Sequence, residues 1–133
     1  LPGRGSRSAS TAIYFLLRAQ DFSALHLVTS DEVWHHYLGD TLELHCFDTS
    51  GEHRAVRLGT AFERGERPQH VVEQHELQAA RVLPGPYGFV LCGCTVAPGF
   101  DFADFRMPGR AELLQQLPQH AELVTALTRG KSR

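Results

Sequence analysis

From Thr11 onward the chain runs in short apolar stretches rich in β-branched and aromatic residues, broken every few positions by glycine, proline or polar residues. That rhythm predicts strands rather than helices. The first expected strand covers residues 11–17. Two more, over 31–37 and 41–48, flank Leu-Gly-Asp at 38–40, and this pattern predicts a hairpin because glycine supplies turn geometry. Further strands are expected over 55–59, 69–72, 77–83 and 88–97, with a polar loop over 62–69 and Pro84-Gly85-Pro86 separating the last pair.

Only the tail changes period. Leu113, Leu114, Leu117, Leu123, Val124 and Leu127 recur at helical intervals over 111–129, with Pro118 either breaking the helix or opening a turn. Many short strands followed by one helical region predict a mainly β fold, a barrel or sandwich closed by a C-terminal helical region. Residues 1–10, rich in Gly, Ser and Arg, read as a flexible lead-in, and 11–133 as a single domain without internal repeats.

Composition narrows the function classes. With 133 residues, 42% of them hydrophobic, the chain is long enough for one substantial core. A formal net charge of -2 offers no broad basic field, so neither nucleic acid nor a membrane surface is an expected partner. No apolar run reaches the roughly 20 residues of a membrane span. The three cysteines, Cys46, Cys92 and Cys94, are odd in number and lie in strand-like stretches, which suits reduced thiols and a cytoplasmic setting.

Candidate chemistry is densest between Leu25 and Gly39, where His26, Glu32, His35, His36 and the only tryptophan, Trp34, fall within fifteen positions. Imidazoles and a carboxylate beside apolar strand-formers are the ingredients of a partly buried acid/base or metal site. Strand alternation puts Glu32, Trp34 and His36 on one face and Val33, His35 and Tyr37 on the other. His35 and His36 therefore cannot share one role. On the next strand Glu43, His45 and Phe47 share a face, so His45 is expected to meet a histidine across the hairpin.

Several segments carry a family resemblance. Thr-Ala-Ile-Tyr-Phe-Leu-Leu at 11–17, Ser-Asp-Glu-Val-Trp-His-His-Tyr-Leu-Gly-Asp at 30–40, Leu-Glu-Leu-His at 42–45 and Gln-Ala-Ala-Arg at 78–81 resemble the small cupins of the DUF985, or Cupin_5, family. So does Gly-Cys-Thr-Val-Ala-Pro-Gly-Phe-Asp-Phe-Ala-Asp-Phe at 93–105. The resemblance implies an RmlC-like jelly-roll β-barrel, a homodimer, and a small-molecule pocket in the barrel mouth. It does not imply one reaction.

Carried over position by position, Glu32 and Gly39 reproduce the glutamate-to-glycine spacing of the first cupin motif, and His26 lies near that motif's first histidine. Its usual partner falls at Val28, and Gln78 stands at the place of the remaining metal histidine. A divalent metal (Fe, Mn, Ni or Zn) would then rest on a substitute set, His26, Glu32 and Gln78. At 73–77 the family's Pro-x-Gly-x-Trp pattern is replaced, with Glu73, His75 and Leu77 at its fixed positions. A segment rich in Gly, Glu and Tyr is also expected before Thr11 and is not found.

The function implied is a small-molecule enzyme of epimerase or isomerase character, acting on a sugar or another polar metabolite. Its catalytic candidates are His26, Glu32 and His36, and its ligand-binding candidates Trp34, His35, His45 and Gln78. For Glu32 an ion pair, for example with Arg81, is the structural alternative. The competing functions are a ligand-binding cupin without catalysis and a metal-dependent enzyme with a non-standard ligand set.

Overall fold

The computed structural model describes residues 6–130. Nine strands form, β1 (Thr11–Arg18), β2 (Phe22–Val28), β3 (Asp31–Gly39), β4 (Leu42–Phe47), β5 (His53–Leu58), β6 (Gln69–Val72), β7 (Leu77–Val82), β8 (Phe89–Ala97) and β9 (Phe105–Arg106), followed by α1 (Arg110–Gln116) and α2 (Ala121–Ala126). They build two antiparallel sheets, β1-β8-β3-β6 and β5-β4-β7-β2-β9. The sheets face each other as a jelly roll, remaining two sheets rather than one continuous closed barrel.

Alternation on each strand divides its side chains between two cores. Between the sheets lie Leu17, Trp34, Leu42, Leu44, Cys46, Leu58, Val72, Val90 and Cys92. The opposite face of the second sheet contributes Leu25, Phe47, Leu77 and Ala79, which pack under Leu113, Leu117, Val124 and Leu127 of the tail. The tail therefore covers an apolar sheet face that would otherwise meet water. It is not one continuous helix: Pro118 opens a 3-10 turn between α1 and α2.

The expected hairpin between β3 and β4 does not form. β3 pairs with β6 and β8, β4 with β5 and β7, so the chain crosses from one sheet to the other at residues 39–41. The corner is clamped onto the start of β8. Asp40 accepts from the amides of Tyr87 at 3.1 Å and Gly88 at 2.7 Å, while its own amide donates to the Phe89 carbonyl at 2.8 Å. Gly39 takes φ +103°, and a Cβ there would lie 2.3 Å from the Phe89 oxygen, so only glycine fits. Turn chemistry was legible at this point; the identity of the partner strands was not.

The pattern reading also assigns no element to 22–28, where β2 forms with a bulge that breaks its alternation. Of the lead-in expected over 1–10, residues 1–5 lie outside the described residues. Arg7 and Ser8 are held against the segment after β8: the Ser8 carbonyl accepts from Gly99 N at 2.9 Å, and Arg7 pairs with Asp104.

The turn between β6 and β7 keeps left-handed geometry without glycine. His75 stands at φ +71°, its amide donating to the Val28 carbonyl at 3.0 Å, while the buried Glu76 carboxylate accepts from Glu73 N at 2.9 Å and from Arg54 at 3.0 Å. A side chain in this region costs about 1 kcal/mol or more. His75→Gly is therefore expected to raise the unfolding free energy by about 1 kcal/mol, read as a higher urea midpoint. An unchanged or lower midpoint would show that the turn is not strained.

Candidate functional site

The bulge in β2 decides where His26 points. β2 pairs with β7 through Phe22↔Arg81 and Ser23↔Ala80, then resumes one residue out of step at His26↔Gln78. Ser23 and His26, three residues apart, would face opposite sides of a regular strand; the extra residue brings both to one cavity. The Leu25 amide, displaced from the ladder, donates to the Leu127 carbonyl at the end of α2, at 2.9 Å.

The His26 ring is then fixed by two contacts. Nδ1 lies 2.7 Å from the Ala24 carbonyl, which can only accept, so Nδ1 carries the proton and Nε2 of the neutral ring keeps its lone pair. The ring stacks on Phe105 of β9 at 5.4 Å. Burial lowers the His26 pKa below its ordinary value, outweighing the bond to Ala24. At neutral pH this is an uncharged base with one free nitrogen.

Glu32 and Trp34 face inward from β3, and Gln78 meets both from β7 in the opposite sheet. Trp34 Nε1 donates to Gln78 Oε1 at 2.7 Å, and Gln78 Nε2 donates to Glu32 Oε1 at 2.9 Å. Since indole can only donate, the amide orientation is fixed and its N–H faces the carboxyl. Burial raises the Glu32 pKa, against the pull of hydrogen bonds from Gln78 and the Cys94 thiol. The fold thus pushes a carboxyl up and an imidazole down, the arrangement that suits a proton donor and a proton acceptor in one site.

Both groups line a cavity of about 620 Å³. Its walls are mostly apolar: Ile13 and Phe15 from β1, Val28 from β2, Trp34 from β3, Val96 from β8, and Phe100, Phe102 and Phe105 from the segment that follows β8. That Phe100, Phe102 and Phe105 form the cavity wall is not legible in the sequence, because nothing local says what lies beneath them. Asp101, within the same segment, accepts from Ala103 N at 2.8 Å.

The remaining candidates lie elsewhere. His36, a catalytic candidate by its shared face with Glu32, sits at the opposite end of the fold, where it lines a hollow of about 260 Å³ and Nε2 donates to the Asp40 carbonyl at 3.0 Å. Two residues along a strand displace a side chain by about 7 Å, enough to leave the cavity. His35 lies on the outer face of the first sheet, 3.1 Å from the Thr95 hydroxyl and stacked on Tyr37. His45 lies on the helix-covered side of the second sheet, 2.8 Å from Glu43 and 2.9 Å from His53, with His120 closing the stack. His45 thus meets a histidine across β4–β5 rather than across the expected hairpin. Arg81 pairs with Glu43 at 2.8 Å, leaving Glu32 without an arginine.

A divalent metal fits these residues poorly. Gln78 Oε1 is already engaged by Trp34, its N–H faces the carboxyl, and Val28 offers no donor. Among the described residues no three His, Cys, Asp or Glu groups converge to hold an ion. The thiols of Cys46 and Cys92 are unpaired and buried, and burial pushes each up to about 12. Cys94 is raised as well, by burial and by Glu32, and all three sit in the core as protonated, small apolar residues.

The family whose sequence model matches, Cupin_5, described as Cupin superfamily (DUF985), covers residues 2–108. No curated protein matches the chain. Among solved structures, a protein from Shewanella oneidensis is 35% identical with a TM-score of 0.90, covering 98% of this chain and 82% of its own. A hypothetical protein from Leishmania major is 33% identical with a TM-score of 0.89, covering 93% and 78%. A dTDP sugar isomerase from Desulfovibrio desulfuricans shares the fold at 13% identity, with a TM-score of 0.60 and coverage of 81% and 70%.

The raised Glu32 pKa has a defined stability consequence. Because the folded state favours the protonated carboxyl, its contribution is full below the ordinary value of 4.5 and is lost as pH rises through the higher folded value. Glu32→Gln keeps an acceptor oxygen for Gln78 and removes the charge. The urea midpoint of the variant should match wild type near pH 4 and exceed it near pH 7.5. A variant less stable at both pH values would contradict this reading of Glu32.

Proposed function

The chain belongs to the Cupin_5 family (DUF985) of the cupin superfamily, and on that footing we propose that it is a small-molecule enzyme of epimerase or isomerase character, with His26 as base and Glu32 as acid. The observation that carries this reading is a neutral imidazole whose proton is tied to Ala24, opening into the same cavity as a carboxyl biased toward its protonated form. His26 Nε2 takes a carbon-bound proton beside a carbonyl, and the carbonyl oxygen takes the Glu32 proton as the enol forms. Return of a proton to the other face or a neighbouring carbon completes the isomerisation and restores both groups. Gln78 and Trp34 act as positioning residues, holding the carboxyl through the amide relay.

5-Nitrobenzisoxazole tests the base directly. Removal of its ring proton breaks the N–O bond and releases a coloured cyanophenolate. The protein should accelerate this elimination about 100-fold over equimolar free imidazole, and His26→Ala should lose at least about tenfold. Because the neutral ring is the active form, the rate should rise with pH through a pKa below 6.5 and level off by neutrality. A rate indifferent to His26→Ala would favour a cavity used for recognition alone.

A homodimer is the second part of the proposal. On the outer face of the first sheet Tyr14 and Leu16 are 80% and 59% exposed, and Tyr14 meets Tyr37 edge-on at 6.1 Å across Gly93. With Tyr37 these residues make an exposed apolar surface near the free edge of β1, and a second copy related by two-fold symmetry covers such a surface without needing opposite charges. Light scattering should give the mass of two chains, and Tyr14→Arg that of one; a wild-type monomer would remove this part. Unpaired thiols support a cytoplasmic setting, and among the described residues no helix is long and apolar enough to cross a membrane.

A further inference from the structure

The same cavity restricts what its ligand can be. Aromatic side chains come from both sheets: Phe15 and Trp34 meet edge-to-face at 5.6 Å on one wall, and Phe100 meets Phe105 at 6.3 Å on the other. At the mouth Phe102 lies 5.1 Å from Phe100 yet is 82% exposed. Polar lining side chains are few. Beside His26 and Glu32 there are the hydroxyls of Ser23 and Thr11, the latter already accepting from Phe100 N at 3.0 Å, and the Cys94 thiol, which is hydrogen-bonded to Glu32. Among the described residues no lysine or arginine lines the cavity, and Arg7, on the lead-in beside it, is paired with Asp104.

These features disfavour the sugar or polar metabolite expected from the resemblance. A pyranose brings several hydroxyls into a space with few partners, and each one buried unpaired weakens binding roughly tenfold. A nucleotide diphosphate would bring its negative charge beside Glu32 with no cation among the described residues lining the cavity to neutralise it. A flat apolar ring system, in contrast, finds aromatic surface on both sides. We propose that the cavity takes a neutral, ring-bearing, largely apolar molecule carrying a ketone oxygen that reaches Glu32 and a neighbouring C–H that reaches His26.

This rests on the acid–base reading for the ketone but not for the apolar body, so binding and chemistry are measured separately. Trp34, the only tryptophan, lies in the cavity wall and reports occupancy by its fluorescence, with calorimetry on the full chain as a second readout. The probe 2-tetralone should bind with a Kd of about 100 μM or tighter. Tetralin, which lacks the ketone, should bind at least about fivefold more weakly. Because Phe102 is exposed, Phe102→Ser should leave the melting temperature unchanged and weaken 2-tetralone about threefold.

D-glucose and thymidine diphosphate should leave both signals unchanged at millimolar concentration. Either of them binding more tightly than 2-tetralone, or no binding of 2-tetralone at all, would overturn the proposal. In heavy water the wild type should also speed exchange of the hydrogens beside the ketone, and His26→Ala should not. Tight 2-tetralone binding without faster exchange would uphold the apolar ligand class while removing the assignment of His26 and Glu32 as base and acid.

Discussion

The side-chain amide of Gln78 reaches from β7 across the interior to β3, taking a hydrogen bond from Trp34 and giving one to Glu32. With 1% exposure it has almost no access to solvent, so its amide and the Trp34 indole N–H depend on this relay for their hydrogen bonds. Removing the amide would strand the indole N–H, at about 1–3 kcal/mol for a buried group left unpaired, and leave the carboxyl with only the Cys94 thiol. The relay also fixes how the two sheets align, because apolar contacts between Leu44, Trp34 and Val72 tolerate sliding that a directed amide does not. The cavity lies beside this link, and its carboxyl is held in place by it.

The position of the imidazole is set from farther away. His26 faces the cavity because β2 is bulged, and the amide exposed by the bulge is satisfied by the carbonyl of Leu127 at the end of α2. That carbonyl is positioned by the second core, where Leu25 and Phe47 pack under Leu113, Leu117 and Val124. The helical tail thus closes the sheet face it covers and holds the strand that carries the base. Its two short helices, too short to be stable alone, derive their order from that packing.

Clustering in sequence proved a partial guide to clustering in space. Of the five candidate residues between His26 and Gly39, three line the cavity, His26, Glu32 and Trp34, while His35 and His36 are carried to the outer face and to the far end. A denser group of imidazoles, His45, His53 and His120, assembles on the helix-covered side from segments far apart in the chain. It forms because β4–β5 pairing and the turn after Pro118 bring those positions together, contacts that no local pattern records.

The sequence by itself determined the β character of residues 11–97 apart from β2, the helical tail, the face shared by Glu32 and Trp34, and the family, because alternation, helical spacing and motif residues are local properties. The family pattern carries glycine where this chain has His75, and the backbone keeps left-handed geometry there despite the replacement. Only the tertiary structure decided that β3 and β4 part company at Gly39, that a bulge re-aims His26, that Gln78 spends its oxygen on Trp34, and that three phenylalanines after β8 wall the cavity. Each of these depends on which strands become neighbours. That choice minimises exposed apolar surface and unpaired backbone over the whole chain, and no short window of sequence contains it.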